Sequence, residues 1–175
     1  MPVRLKYLGP AIAICAVVAW ADAEEAVTLS RIVTQLESLH RVTAVPHRMA
    51  DSTVVFCAPF GAAPASIHEG HIGPAYCHVY VTADAKEPMV SGHGVYPRGS
   101  VIIKAKLESE KSSDALLYTV MRKMEEGYDR KNGDWEYSVL EGSSHRVLAR
   151  GKIDSCIECH EQHASTDYVT RAYIK

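Results

Sequence analysis

The sequence lacks any block of Lys and Arg residues, and this absence limits the partners that it can bind. Its 175 residues carry 19 basic and 21 acidic side chains, a formal net charge of -2. Affinity for nucleic acid rests on neutralising many phosphates, so we do not expect this chain to bind nucleic acid. Internal repeats and low-complexity tracts are also lacking, and the length suits one domain. We therefore expect a single domain with a small-molecule partner.

Apolar runs long enough to cross a bilayer are lacking as well. The run from Leu8 to Trp20 spans about a dozen residues, whereas a membrane span needs ~20. It follows Arg4 and Lys6, and Ala21-Asp22-Ala23 closes it with small residues at the positions that a signal peptidase reads. A retained membrane anchor is the alternative. We expect residues 1–23 to be a cleaved signal peptide and residues 24–175 to form an exported domain without a membrane anchor.

Cysteine is scarce, and its use changes when the signal peptide is removed. Cleavage takes Cys15 away and leaves Cys57, Cys77, Cys156 and Cys159 in an oxidising compartment, where paired thiols tend to form disulfides. A disulfide between Cys57 and Cys77 is the economical interpretation, and two buried thiols are the alternative.

Apolar periodicity predicts an α+β fold that is mainly antiparallel β. Helical spacing over Thr28 to His40 predicts an N-terminal helix. Residues 42–74 resemble a loop, with one short strand at Val54 to Phe56. A C-terminal helix begins at Asp154. Between them, turn residues such as Asn132-Gly133 separate five β-rich runs, which predict an antiparallel meander. These runs are Val79 to Thr82, Val101 to Leu107, Leu116 to Met124, Trp135 to Leu140 and Arg146 to Ala149.

The C-terminal helix carries the sequence Cys-Ile-Glu-Cys-His over residues 156–160. In this C-x-x-C-H spacing, two thiols reach the vinyl groups on adjacent pyrrole rings of haem, and the next residue places an imidazole beneath the iron. We expect one covalently bound haem c, tethered through Cys156 and Cys159. His160 is the expected axial ligand of the iron.

Other chemistries for this motif fit the surrounding sequence less well. A thioredoxin-like pair would follow a strand within a βαβ unit, which is missing here. A structural zinc site needs a second pair of ligands, and the sequence offers no convincing one. The pair His160 and His163 has one residue too few between its members to match a zinc-protease helix. His68, His71 and His78 lack regular spacing, so we do not predict a second metal site.

A sixth iron ligand would mark an electron carrier, and the sequence offers no obvious one. No Met follows His160, and we expect His163 on the same helix as His160, on the wrong side of the haem ring. None of the upstream methionines has sequence neighbours that mark it as an iron ligand, and we interpret all four as core residues: Met49, Met89, Met121 and Met124. An iron with an open distal position is therefore the favoured hypothesis.

Lys104 and Lys106 lie in the run Val101 to Leu107, whose odd-numbered positions are all apolar. Alternation places the two lysines and Ile102 on the opposite face of the strand. That face is either solvated or lies near the haem edge, where desolvation would make a lysine amine nucleophilic.

Several segments together resemble the cytochrome P-460 family, in order from about Val42 to Tyr173. The residues that carry the resemblance are Tyr96-Pro97-Arg98-Gly99-Ser100-Val101-Ile102-Ile103-Lys104, Gly133-Asp134-Trp135-Glu136-Tyr137, Cys156 to His160, and Asp167-Tyr168-Val169.

The resemblance implies a β-rich, often dimeric, periplasmic haem protein related to the β-type cytochromes c-prime. In founding members a lysine is bonded to a meso carbon of the porphyrin, and the enzyme oxidises hydroxylamine, sometimes with nitric oxide, to nitrogen oxides. That lysine falls on Lys104, with Lys106 as a second candidate. Active members also use a carboxylate near the iron, for which Asp154, Glu136 and Asp167 are available.

Three functions follow as hypotheses. The first is an oxidoreductase acting on a small nitrogen compound, with a soluble cytochrome as its electron acceptor. The second is a non-enzymatic binder of nitric oxide or carbon monoxide, as implied by family members without the cross-link. The third is an electron-transfer cytochrome with a Met or His sixth ligand.

Overall fold

The computed structural model describes residues 28–49 and 76–174. The predicted signal peptide, the strand predicted at Val54 to Phe56, and Cys57, His68 and His71 lie outside these ranges. Within them the chain forms an antiparallel sheet with helices, as the α+β, mainly antiparallel β prediction required. Its strands are β1 (His40–Arg41), β2 (His47–Arg48), β3 (Tyr76–Val81), β4 (Val101–Leu107), β5 (Ala115–Lys123), β6 (Trp135–Glu141) and β7 (Val147–Gly151). Its α-helices are α1 (residues 28–34), α2 (Ala83–Ser91) and α3 (Asp154–His160).

Strands β3 to β7 correspond to the five runs of the predicted meander, and each pairs with the next along the chain. β3 pairs with β4 on one side and with the two short strands β1 and β2 on the other. The turn between β6 and β7 uses Gly142, where a Cβ would overlap the carbonyl oxygen of Ala115. The sequence signals for this turn and these strands are therefore consistent with the observed topology.

The two faces of the sheet have different partners. On the helix face, Val101, Ile103 and Ala105 of β4 pack with Leu29 and Val33 of α1. On the opposite face, which we call the cavity face, Ile102 joins a second core cluster with Met121 of β5 and Tyr137 of β6. The predicted alternation along β4 is thus confirmed.

The prediction of a solvated face for the two lysines of β4 is wrong. Lys106 is only 4% exposed and Lys104 is half-buried. Among the described residues, Met49 and the segment after β7, including Cys156 and Val169, pack against the cavity face. Long side chains on such a face bury their methylene groups while their amines reach polar surroundings.

Four local elements differ from the sequence prediction. Strand β3 begins at Tyr76, three residues before the predicted run Val79 to Thr82. The first helix ends at residue 34 and is followed by a 3-10 turn at Leu36–Ser38, so His40 lies in β1 instead of the helix. Strand β2 lies in a stretch predicted as loop. Helix α2 was not predicted, since Pro88 lies inside it and its sequence has little amphipathic pattern.

Helix α3 begins at the predicted residue, Asp154. A 3-10 helix, Glu161–Thr166, follows it, and the chain then runs to residue 174 against the cavity-face core, where Val169 is fully buried. Among residues 28–49 and 76–174, no helix has both the length and the apolar character that a bilayer crossing requires.

Candidate functional site

A cavity of about 360 Å³ lies between the cavity face of the sheet, strand β2, helix α3 and the C-terminal segment. Its volume falls within the roughly 300–1,000 Å³ range of small-molecule and cofactor sites. Four residues predicted from sequence line it together: Lys104, Cys156, Cys159 and His160. Lys104 therefore meets the residues of the C-x-x-C-H motif, which lie 52 to 56 positions later in the sequence.

Helix α3 presents the motif to the cavity. Cys156 and Cys159 are both partly buried and, at i and i+3, lie on neighbouring turns of one helix face. His160 ends the helix and lines the same cavity. The two thiols and the imidazole thus face one space, which is the arrangement that attachment of haem c requires.

The imidazole of His160 has a defined orientation. Its Nδ1 lies 2.7 Å from the carbonyl oxygen of Tyr168. Because a carbonyl can only accept, Nδ1 donates this hydrogen bond, and Nε2 therefore carries the lone pair. Burial lowers the pKa of His160 to about 4, against the opposing effect of this hydrogen bond, so the ring is neutral at pH 7. A neutral imidazole with a fixed tautomer is the form that binds a metal.

A second histidine, His163, also lines the cavity. It belongs to the 3-10 helix after α3, and its ring centroid lies 6.5 Å from that of His160. The prediction that His163 lies on the same helix as His160 is therefore wrong, because α3 ends at His160, although the two rings lie close together.

The hydroxyl of Tyr137 is a buried donor in the cavity wall. Tyr137 is 2% exposed, its ring centroid lies 5.4 Å from that of His160, and its hydroxyl has no hydrogen-bond partner among the described residues. Burial raises the pKa of Tyr137, so the hydroxyl keeps its proton. Leaving such a group unsatisfied costs about 1–3 kcal/mol. A ligand with a polar edge would satisfy it.

These residues fit a c-type haem. The cavity offers two thiols at the correct spacing, one neutral imidazole, an orphaned buried donor in Tyr137, and apolar walls that include Ile102 and Met121. Haem needs three of these features: thiols for its vinyl groups, a nitrogen for its iron, and apolar surface for its ring. The hydroxyl of Tyr137 could bond to a polar edge of the bound group.

Lys104 lies in the cavity wall, whereas Lys106 does not. In the sheet, Lys104 pairs with Val79 of β3 and Thr119 of β5. The positive charge of Lys104 contributes to lowering the pKa of His160, which indicates that the amine is within electrostatic range of the imidazole. Of the two lysines on this face, Lys104 is the one placed to contact a cavity ligand.

The three carboxylates considered from sequence lie elsewhere. Asp154 is exposed at the start of α3. Glu136 lies on the helix face, between Arg122 at 2.9 Å and Arg150 at 2.9 Å. Asp167 pairs with Lys123. None of the three lines the cavity, so none is placed as the carboxylate that the family resemblance implied.

The methionines divide into two groups. Met49 and Met121 are buried and line the cavity. Met89 is fully buried beside Tyr96, and Met124 does not line the cavity. Three of the four are thus core residues, as interpreted from sequence.

A further metal site is not formed by the described part of the chain, in which no group of three or more His, Cys, Asp or Glu side chains is placed to hold an ion. His78 instead contacts Thr43, with Nδ1 2.9 Å from the hydroxyl oxygen.

Cys77 is buried and lines the cavity. Its predicted disulfide partner, Cys57, lies outside the described residues.

Several cavity residues were missed by sequence reasoning, and three of them have aromatic or charged side chains. His47 and Arg48 of β2 and Tyr173 of the C-terminal segment all line it, and the rings of His47 and Tyr173 meet edge to face at 6.0 Å. They lie in segments without periodicity, so no local signal marked them.

One comparison with known proteins bears on this site. A family model described as Cytochrome P460 matches residues 63–171, a span that contains Lys104, the whole of α3 and the 3-10 helix after it. No curated protein matches the chain.

Proposed function

The chain belongs to the cytochrome P460 family of haem proteins, and from this premise we propose that it is an exported, periplasmic c-type haem oxidoreductase that oxidises hydroxylamine, nitric oxide or both to nitrogen oxides. The observation that carries the proposal is the meeting of Cys156, Cys159, His160 and Lys104 around one cavity.

Attachment uses the two thiols of α3. Each S–H adds across one vinyl double bond, so that a C–S bond forms, the thiol proton passes to the other vinyl carbon, and no oxidant is needed. His160 offers Nε2 to the iron, with the tautomer fixed by the hydrogen bond from Nδ1 to Tyr168. The chain thereby holds the group covalently and sets the identity of one axial ligand.

Lys104 is the proposed site of a second covalent bond. Joining its Nζ to a meso carbon replaces one N–H and one C–H bond, which releases two protons and two electrons. We assign the electrons to a two-electron oxidant of the peroxide class. Lys104 is half-buried at the cavity, and an amine reacts as a nucleophile in its neutral form.

When bound, haem would supply an iron at which a small molecule could gain or lose electrons. Oxidising one hydroxylamine to nitric oxide removes three electrons and three protons. We propose a soluble cytochrome as the electron acceptor. Among the described cavity residues, His47 is the candidate general base.

A second candidate function is binding of nitric oxide or carbon monoxide without turnover. The observation that favours it is that no Asp or Glu lines the cavity among residues 28–49 and 76–174. The family resemblance implies that active members use a carboxylate near the iron, while a gas-binding protein needs none.

Peptide mass spectrometry of the Lys104→Met and Lys106→Met variants tests the cross-link. In the wild type we expect a peptide of β4 joined through haem to the peptide of α3, together with a strongly red-shifted ferrous Soret band. Lys104→Met should lose both signals. Lys106→Met, which changes a buried lysine on the same face outside the cavity, should keep both. An unlinked wild-type β4 peptide would contradict the cross-link.

Turnover separates the two candidate functions. The wild type should reduce a soluble electron acceptor when hydroxylamine is added, and Lys104→Met should do so much more slowly. A wild type that binds carbon monoxide but transfers no electrons from hydroxylamine would instead establish the gas-binding function. A six-coordinate spectrum indifferent to carbon monoxide would indicate an electron-transfer cytochrome and exclude both.

A further inference from the structure

The carbonyl that accepts the hydrogen bond from His160 belongs to a strained turn. Asp167 and Tyr168 have φ values of 53° and 64°, in the left-handed region that L-residues rarely adopt. Asp is among the residues that tolerate this region, whereas Tyr is not. Two such residues in succession persist only where their surroundings hold them, and such strain concentrates at functional sites. We call residues 167–168 the carbonyl turn.

The side chain of Asp167 anchors the carbonyl turn to the sheet. Its two carboxylate oxygens lie 2.7 and 2.6 Å from Nζ of Lys123, and the backbone N–H of Tyr96 donates to one of them at 2.9 Å. The side chains of Asp167 and Lys123 are each only 9% exposed. Charge-assisted bonds in such a dry setting are short and strong, so they fix the position of Asp167.

Other contacts hold the backbone of the turn. The indole N–H of Trp135 donates to the carbonyl oxygen of Asp167 at 2.8 Å, and the hydroxyl of Tyr168 donates to the carbonyl oxygen of Lys131 at 2.7 Å. Gly133 lies against the turn, where a Cβ would overlap the ring of Tyr168. The turn is thus held on both sides, and a side chain at residue 133 would displace it.

We infer that Asp167 is a positioning residue: by anchoring the carbonyl turn, its carboxylate holds the carbonyl oxygen of Tyr168 against Nδ1 of His160. The segments around Tyr96 and Trp135, which the sequence singled out without a role, converge on this carboxylate and this turn. The inference rests on the proposed function, in which His160 binds the iron.

The consequence is control of the electron density at the axial ligand. A hydrogen bond from Nδ1 makes an imidazole a stronger donor to a metal and fixes its ring orientation. A stronger donor stabilises the oxidised iron. Loosening the carbonyl turn should therefore weaken the iron–histidine bond and raise the midpoint potential.

The Asp167→Asn variant of the haem-loaded protein tests this inference. Asn tolerates the left-handed region as Asp does, so the substitution removes charge without adding backbone strain. We expect the iron–histidine stretching frequency in the resonance Raman spectrum of the ferrous protein to fall, and the midpoint potential to rise. Wild-type values of both in a folded Asp167→Asn protein would overturn the inference.

Two further variants test whether a change in the iron–histidine frequency comes from moving the carbonyl turn, from removing a charge, or from a loss of stability. Gly133→Ala adds no charge but pushes on the carbonyl turn, and it should lower the same frequency. Glu136→Gln removes an equally buried carboxylate of the same sheet on its helix face, and it should reduce stability while leaving the frequency unchanged. Equal shifts in Glu136→Gln and Asp167→Asn would overturn the positioning role.

The His160→Gly variant distinguishes failure of the inference from failure of the proposed function. Loss of the iron–histidine band in this variant identifies His160 as the ligand, and added imidazole should restore a band. A band that persists unchanged overturns the ligand assignment, and the inference with it. A band lost in His160→Gly but unchanged in Asp167→Asn and Gly133→Ala overturns the inference alone.

Discussion

Single residues of the cavity differ in how their buried polar atoms are satisfied. Nδ1 of His160 has a protein acceptor, whereas the hydroxyl of Tyr137 has none among the described residues. A protein rarely buries a hydroxyl without a partner, because the desolvation cost is not returned. The hydroxyl of Tyr137 is therefore available to bond to a ligand in the cavity. The hydrogen bond at Nδ1 instead fixes the orientation of the His160 ring.

The pH dependence of stability can be predicted at His78. Burial and the nearby charge of Arg41 lower the pKa of His78 in the folded protein below its ordinary value of 6.5. The unfolded chain then binds more protons as pH falls below 6.5, so this residue's contribution to stability is present above that pH and is lost below it. His78→Gln should reduce the loss of unfolding free energy between pH 7 and pH 5, measured by urea titration. Identical losses in both proteins would contradict this.

Residue roles were only partly predictable from sequence. The motif at residues 156–160 predicted Cys156, Cys159 and His160 as candidate haem-attachment residues, and all three line the cavity. Alternation placed Lys104 and Lys106 on one face but could not tell them apart. The distinction depends on which strands and segments cover that face, and this is long-range information.

At the scale of elements, α1 stabilises the sheet from the face opposite the cavity. Leu29 and Val33 are almost fully buried against Ile103, Val120 and Leu140. Deleting a buried side chain costs its transfer free energy and leaves a void.

The Leu29→Ala variant tests this division between the faces. We expect unfolding by denaturant to show a loss of about 2–5 kcal/mol. The haem absorption spectrum should not change, because the cavity is on the other face. Val45→Ala, at a position 62% exposed, should change stability by no more than about 0.5 kcal/mol. A spectrum altered by Leu29→Ala would show that the two faces are coupled.

The sequence predicts elements that have a clear local pattern of apolar and turn residues. It does not predict elements that form only because a neighbouring strand or core holds them. Strands β4 to β7 consist of β-branched and apolar runs between turns, so they were predicted close to their observed bounds. Strands β1 and β2 have two residues each and exist because β3 offers them an edge. Helix α2 lacks a strong apolar face and contains Pro88, yet it packs Met89 into the core.

The whole molecule has two hydrophobic cores, one on each face of the sheet. The helix face and α1 form one core, and the cavity face with α3 and the C-terminal segment forms the other. The cavity lies in the second layer, where α3 brings its three motif residues opposite β4. Neither the cavity nor the carbonyl turn could be foreseen from local patterns, since both are formed by segments far apart in sequence.

Mass spectrometry of the mature protein, purified from a periplasm that attaches haem c, tests the central claim most directly. We predict a chain that begins at Glu24 and retains haem through acid–acetone extraction, with haem on the peptide that contains Cys156 and Cys159. Extraction that removes the haem and leaves that peptide with two unmodified thiols would contradict the account.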